Sequence, residues 1–172
     1  MFGVPPEKYW PYSDKDPDFD KEPSAFCYSF AENYKSIRYF RHDTPGISEE
    51  AVFVSVKKAL AAGIPAMFGF TVYNSIDQAN STGKIPFPCP NERVLGGHAI
   101  VAVGYDDKTQ IRNADCDLST KGAMLIRNSW GDGWGDGGYG WLPYEFLHRE
   151  LSVDFWSMLK QDWVDTGQFT IQ

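Results

Sequence analysis

The sequence predicts an α+β domain built mainly of antiparallel strands and preceded by an extended strap and one helix. Three observations point there. Val52, Val56, Ala59 and Leu60 recur at helical spacing behind Ser48. Short apolar runs rich in β-branched and aromatic residues end at Pro, Gly or Asn, as strands do. Residues 1–24 hold five of the eleven prolines, and proline, with no backbone N–H and a fixed φ, suits an extended surface segment better than a helix.

Taken in order, the strap over 1–24 alternates proline with Asp, Lys and aromatics. A helix follows over 48–62, capped by Ser48 with Glu49 and Glu50 behind it, ended by Gly63 and kept from restarting by Pro65. Ala66–Tyr73 reads as a strand, and a loop of about twenty residues comes next, a length that is usually functional. Ala99–Tyr105 and Ala123–Arg127 read as two further strands, with the polar stretch 106–122 as a hairpin with a solvated tip. Six glycines in 131–140 imply close backbone approach rather than regular structure. A short helix is expected over Trp141–Leu147, starting after Pro143, and a last strand over Leu151–Leu159.

The 172 residues are 42% hydrophobic and 16% aromatic, which excludes a disordered chain. A net charge of −7 argues against nucleic acid and against an anionic membrane surface. No apolar run is long enough to span a bilayer, and the first residues lack the basic and apolar regions of a signal peptide. The chain therefore reads as soluble, with its localisation left open.

Cys27, Cys89 and Cys116 are an odd number with no CxxC pair, so a disulfide framework is not expected. Cys89 reads as a loop thiol and Cys116 as a hairpin thiol, pairing of the two being the alternative in an oxidising compartment. His42, His98 and His148 lie in no metal-ligand spacing with the cysteines, and His42 and His148, among charged and polar neighbours, read as solvated. Asp106, Asp107, Asp115 and Asp117 lack the pattern of a calcium loop and read as a solvated hairpin. No metal or cofactor is called for.

His98 stands at the start of an apolar strand, Gly97-His98-Ala99 through Val103-Gly104-Tyr105, and Asn128-Ser129-Trp130-Gly131 follows the strand ending at Arg127. With Trp134-Gly135 and Gly138-Tyr139 behind them, and Glu7 to Tyr12 ahead, these motifs resemble, in order, those of papain-like cysteine peptidases. The resemblance covers most of the chain. It implies a papain-like α+β fold, mainly the antiparallel barrel-like lobe, with residues 1–47 as strap and remnant of a first lobe and 48–172 as the β-rich lobe.

The resemblance also implies a Cys-His-Asn site that hydrolyses peptide bonds. His98 would be the acid and base, Asn128 would fix the ring's tautomer and direction, and Trp130 would cover that bond. Gly97 would lend its backbone to a bound peptide, and Gly69 with Ala99 would line a specificity pocket. The family's oxyanion glutamine and its Gly-Ser-Cys-Trp helix come before the Tyr-Pro-Tyr segment, so here they would precede residue 1.

Ala25-Phe26-Cys27-Tyr28 superficially mimics the nucleophile's context. It follows Tyr12 instead of preceding it, no Gly-Ser comes before it, and 71 residues separate it from His98 where the family has about 130–150. The expectation is thus an endopeptidase portion without its nucleophile and inactive alone. The alternative is a pseudoenzyme that binds peptides or a protein partner. A relative that pairs His with Asp is a third possibility, disfavoured by Asn128. Substrates would be peptides or proteins, and self-association or a partner segment would cover a missing lobe.

Overall fold

The structure, a computed structural model, describes residues 3–35 and 38–159. The chain divides into two compact units, residues 1–38 with 159–172 and residues 39–158.

In the first unit, residues 3–24 follow the expected strap, without helix or strand except for a 3-10 turn at Asp18–Asp20. The helix α1, Ala25–Ala31, was not foreseen. Ser24 caps it by accepting from the Cys27 amide, and Tyr9 packs edge-on against Phe26 and Phe30. Its periodicity is too short to read: a seven-residue helix shows barely two turns of pattern, and tertiary packing supplies what propensity does not.

The second unit carries a six-stranded sheet in the order β1-β6-β2-β3-β4-β5. The strands are β1, Arg38–Arg41; β2, Ala66–Tyr73; β3, Val94–Arg112; β4, Ser119–Arg127; β5, Tyr139–Pro143; and β6, Ser152–Leu159. The registered pairs, β6–β2, β2–β3, β3–β4 and β4–β5, are antiparallel. With few helices besides, this is the mixed α+β fold that the sequence predicts.

Helix α2, Glu49–Ala61, obeys its signals closely. Ser48 accepts from the Ala51 amide, Gly63 adopts φ 77° just past the end, and Val52, Val56, Ala59 and Leu60 are its buried residues. Val52, Val56 and Leu60 join a core with Phe68, Phe70, Ile100, Ala102, Met124, Ile126, Phe146 and Phe155. Phe68 and Phe155 stack with ring centres 4.6 Å apart.

Several expectations are corrected. β3 runs well past Tyr105, so the hairpin tip shrinks to residues 113–118; a polar strand edge that faces water satisfies the same polar pattern as a loop. Trp141–Pro143 belongs to β5, not to a helix start, because β4 is there to pair with it; only Glu145–His148, α3, is helical. Cys89 and Cys116 are joined in a disulfide across 27 residues, since the loop folds back onto the hairpin tip. His42 is buried at 4% exposure, not solvated: its ring bonds Ser55 Oγ at 2.8 Å and Ser157 Oγ at 2.9 Å, partners 13 and 115 residues away. His148 is exposed, as expected.

The long loop is built rather than loose. Asn113, wholly buried, donates to the Phe87 carbonyl and accepts from Gln78. Glu92 accepts from the amides of Ser75 and Cys89. Burial opposes ionisation of Glu92, but the hydrogen bonds from Ser75, the Cys89 amide and Asn113 outweigh it and hold the carboxyl below its ordinary range.

Candidate active site

β3 presents alternate residues to opposite faces of the sheet, so His98 shares the core-facing side with Ile100 and Ala102. It stands opposite Phe70 on β2, and the two rings meet edge-on at 6.0 Å. Being near the strand's beginning, its imidazole is only half-buried. β4 pairs with β3 as far as Val101↔Arg127, and Asn128, one residue beyond, leaves the strand within side-chain reach of His98.

The two side chains meet: His98 Nε2 and Asn128 Oδ1 are 2.9 Å apart. The Ser129 amide donates to the same Oδ1 at 2.8 Å, which identifies that atom as the oxygen and therefore makes His98 Nε2–H the donor. Nδ1 is left as the nitrogen that can take or deliver a proton. Asn128 is buried at 6% exposure, and its own amide donates to the Gly138 carbonyl, so the residue that orients the ring is itself fixed from two sides.

Trp130 stacks on the imidazole, with ring centres 4.8 Å apart and planes 23° from parallel. Trp134 supports it edge-on at 5.6 Å. One face of the His98 ring is thereby removed from water.

The glycine-rich segment makes this stack possible. Gly135 holds φ 61°, and a Cβ there would fall 2.3 Å from the Tyr139 carbonyl oxygen; a Cβ on Gly140 would fall 2.5 Å from the Gly83 oxygen and 2.7 Å from the Trp134 ring. Backbone approaches backbone where a side chain has no room.

On the outer face, Gly69 pairs with Ala99 and Thr71 with Gly97. Gly69, Gly97, Ala99 and His98 together line a depression of about 410 Å³. The structure thus gathers all six of the residues singled out from the sequence: His98, Asn128 and Trp130 in one stack, Gly69, Gly97 and Ala99 in the adjoining hollow. Thr71, Glu150, Leu151 and Val153 also line it and went unread. No local pattern marks Thr71, and Glu150, Leu151 and Val153 come beside β2 only through its pairing with the segment that enters β6.

Cys27 is 4% exposed, and its Sγ lies 3.4 Å from the Tyr9 carbonyl oxygen and 3.3 Å from Ser24 Oγ, within the first unit. Among the described residues no group of three or more His, Cys, Asp or Glu side chains could hold a metal ion. No helix among them is long and apolar enough to cross a membrane.

The order of the motifs and this geometry converge with the family comparison: the model of the papain family cysteine proteases matches residues 1–146. The chain belongs to the papain family of cysteine proteases. An uncharacterized peptidase C1-like protein of Acanthamoeba polyphaga mimivirus is 33% identical over 160 residues, 90% of this chain and 47% of that protein. Xylellain, a cysteine protease from Xylella fastidiosa, is 36% identical with a TM-score of 0.69, covering 93% of this chain and 57% of its own. Bromelain protease from Ananas comosus, at 20% identity and TM-score 0.55 over 92% of this chain and 64% of that one, shares the fold. This papain-family chain spans about half the length of the relatives it matches.

Proposed function

We propose that this chain carries the histidine–asparagine half of a cysteine endopeptidase centre together with part of the peptide-binding surface. The observation that carries the reading is the 2.9 Å bond from His98 Nε2 to Asn128 Oδ1 beneath Trp130. In such a centre a cysteine thiolate attacks the peptide carbonyl, and His98, protonated at Nδ1, delivers that proton to the leaving amine. Asn128 keeps the ring turned so that Nδ1 faces the reacting atoms, and Trp130 keeps water from competing for the orienting bond.

The thiolate would come from outside these 172 residues. Cys89 and Cys116 are consumed in the disulfide, and Cys27 is buried with its sulfur beside the Tyr9 carbonyl, whereas a reactive cysteine is partly exposed in an electropositive setting. The isolated chain is inert on this reading. Intact-mass analysis after incubation with an epoxysuccinyl thiol trap at neutral pH is expected to show no adduct. A single adduct on Cys27 would overturn it and make the chain a complete peptidase.

The second reading, a pseudoenzyme that keeps the groove to bind peptides, draws on the depression beside His98 and the absence of a free exposed cysteine among the described residues. Supplying a Gly-Ser-Cys-aromatic helix on an N-terminal segment separates the two. Thiol-dependent cleavage of a protein substrate, lost in His98→Ala by at least roughly a thousand-fold, supports the peptidase and sinks the pseudoenzyme.

A further inference from the structure

We propose that Arg127 is a positioning residue for His98: its guanidinium clamps the glycine-rich segment that follows Trp130, and through that segment it sets the placement of Asn128 against the imidazole. The proposal rests on reading Asn128 as the side chain that orients His98.

The need for a clamp lies in the sequence. Residues 131–140 contain six glycines, and glycine loses more conformational freedom on ordering than any other residue while offering no side chain to hold it. Yet the main-chain bond that anchors Asn128 runs into this segment, from the Asn128 N–H to the Gly138 carbonyl at 3.0 Å. The ring that covers His98, Trp130, stands at the segment's start and leans on Trp134 within it. Whatever fixes the segment therefore fixes the bond between His98 and Asn128 and its cover.

The two sides of the segment are held differently. On the side toward β5, main-chain bonds tie it to the loop before β3: Gly135 N–H donates to the Asn80 carbonyl and Trp141 N–H to the Gly83 carbonyl. On the side toward Asn128 the main-chain bonds are internal, from Trp134 N–H to the Gly131 carbonyl and from Gly138 N–H to the Trp134 carbonyl. There a side chain supplies the tie.

Arg127 reaches the segment at three points. Its Nη1 donates to the Gly137 carbonyl at 2.7 Å, its Nη2 donates to Asp132 Oδ1 at 3.2 Å, and the guanidinium lies over the Tyr139 ring, 4.6 Å from the centre. Gly138, at φ 83°, leaves the space this requires, since a Cβ there would fall 2.6 Å from Nη1. A planar fork with donors along its edge and a flat face makes all three contacts at once, which the single ammonium of lysine cannot. Residues on both sides of Trp134 are thus bound to the last residue of β4, whose next neighbour is Asn128.

The clamp adds little stability. The Arg127 side chain is 40% exposed and that of Asp132 84%, and ion pairs so open to water contribute little. Its effect belongs at His98 rather than in the melting temperature.

The test is the ¹⁵N spectrum of the His98 ring in the whole chain, at a pH where the imidazole is neutral, read as the ratio of Nε2–H to Nδ1–H tautomers. The chains compared are the unaltered one, Arg127→Met, Arg127→Lys, Asn128→Ala and the double variant Arg127→Met/Asn128→Ala, each with its Tm. Arg127→Met is expected to lower the ratio about three- to ten-fold, as the weakening of one orienting hydrogen bond would, with the Tm little changed. Arg127→Lys, which keeps the charge and one donor, should fall between it and the unaltered chain. The double variant should match Asn128→Ala, because a residue that acts through Asn128 then has nothing to act on. If Arg127→Met lowers the Tm and leaves the ratio unchanged while Asn128→Ala shifts it, Arg127 is a structural clamp only, and the proposal is overturned with the orienting role of Asn128 intact. A double variant that shifts by the sum of the two single effects overturns it likewise. An unchanged ratio in Asn128→Ala overturns the orienting role itself, and the proposal with it.

Discussion

At the scale of single residues, His98 and His42 show how one residue type is set to two tasks by its neighbours. In His98 the bond to Asn128 fixes the tautomer and leaves Nδ1 without a hydrogen bond among the described residues. Replacing Asn128 by alanine is expected to keep the fold but release the ring, seen in the ¹⁵N spectrum as a shift from the Nε2–H tautomer toward a mixture; an unchanged spectrum would contradict the orienting role. In His42 both nitrogens are spoken for. Ser157 Oγ donates to the Pro65 carbonyl, so it accepts from His42 Nε2–H, and Nδ1 accepts from Ser55. The neutral ring satisfies every group. Burial lowers the His42 pKa, against the opposing pull of Asp43. Because the folded value lies below the unfolded one, the unfolded chain binds more protons in between, and stability falls as pH drops below roughly 6.5. Thermal melts from pH 8 to 5 should show this loss, reduced in His42→Asn. His98 was legible in the sequence because its signal is local, a Gly-His-Ala entering an apolar strand. His42 was not, since both its partners come from elsewhere in the fold.

At the scale of elements, the signals that survived were those with a complete local pattern. The α2 helix shows a cap, an apolar stripe and a stop within fifteen residues, and β2 shows alternation bounded by Pro65 and Asn74. The elements misread were those whose reason is a neighbour: β1 and β5 exist because β6 and β4 offer them edges, and the far end of β3 is a strand because β4 pairs with it. The loop before β3 gains its rigidity in the same way. Its disulfide to Cys116 closes 27 residues, and loop-closure entropy puts its contribution at no more than about 3–4 kcal/mol. Cys116→Ser should lower the urea midpoint accordingly, with a somewhat steeper slope because the unlinked unfolded chain exposes more surface. Gly140→Ala, forcing a methyl against the Gly83 oxygen and Trp134, should cost about 1–3 kcal/mol and displace Trp130 from His98, checked by tryptophan fluorescence and the His98 ring shifts.

At the scale of the whole molecule, the outer face of the sheet sets the expectation. Met67 stands across from Val101 and Trp156, and Gly69 from Ala99 and Val153, so these residues share one side; Met67 is 39% exposed and Val153 53%. Apolar faces of this kind are seldom left bare, and a second copy or a partner segment is expected to cover it. Light scattering at micromolar concentration should report association, and a clean monomer would refute it. The sequence by itself determined the family, the helix and central strands, and it pointed to His98, Asn128 and Trp130, because each rests on a pattern within a few residues of chain. Only the tertiary structure decided that Cys89 finds Cys116, that His42 is buried between two serines, and that Glu150 comes to stand beside Gly69, Gly97 and Ala99. These are contacts between segments far apart in sequence, fixed by sheet order and register, and no local periodicity encodes which distant strand will lie alongside.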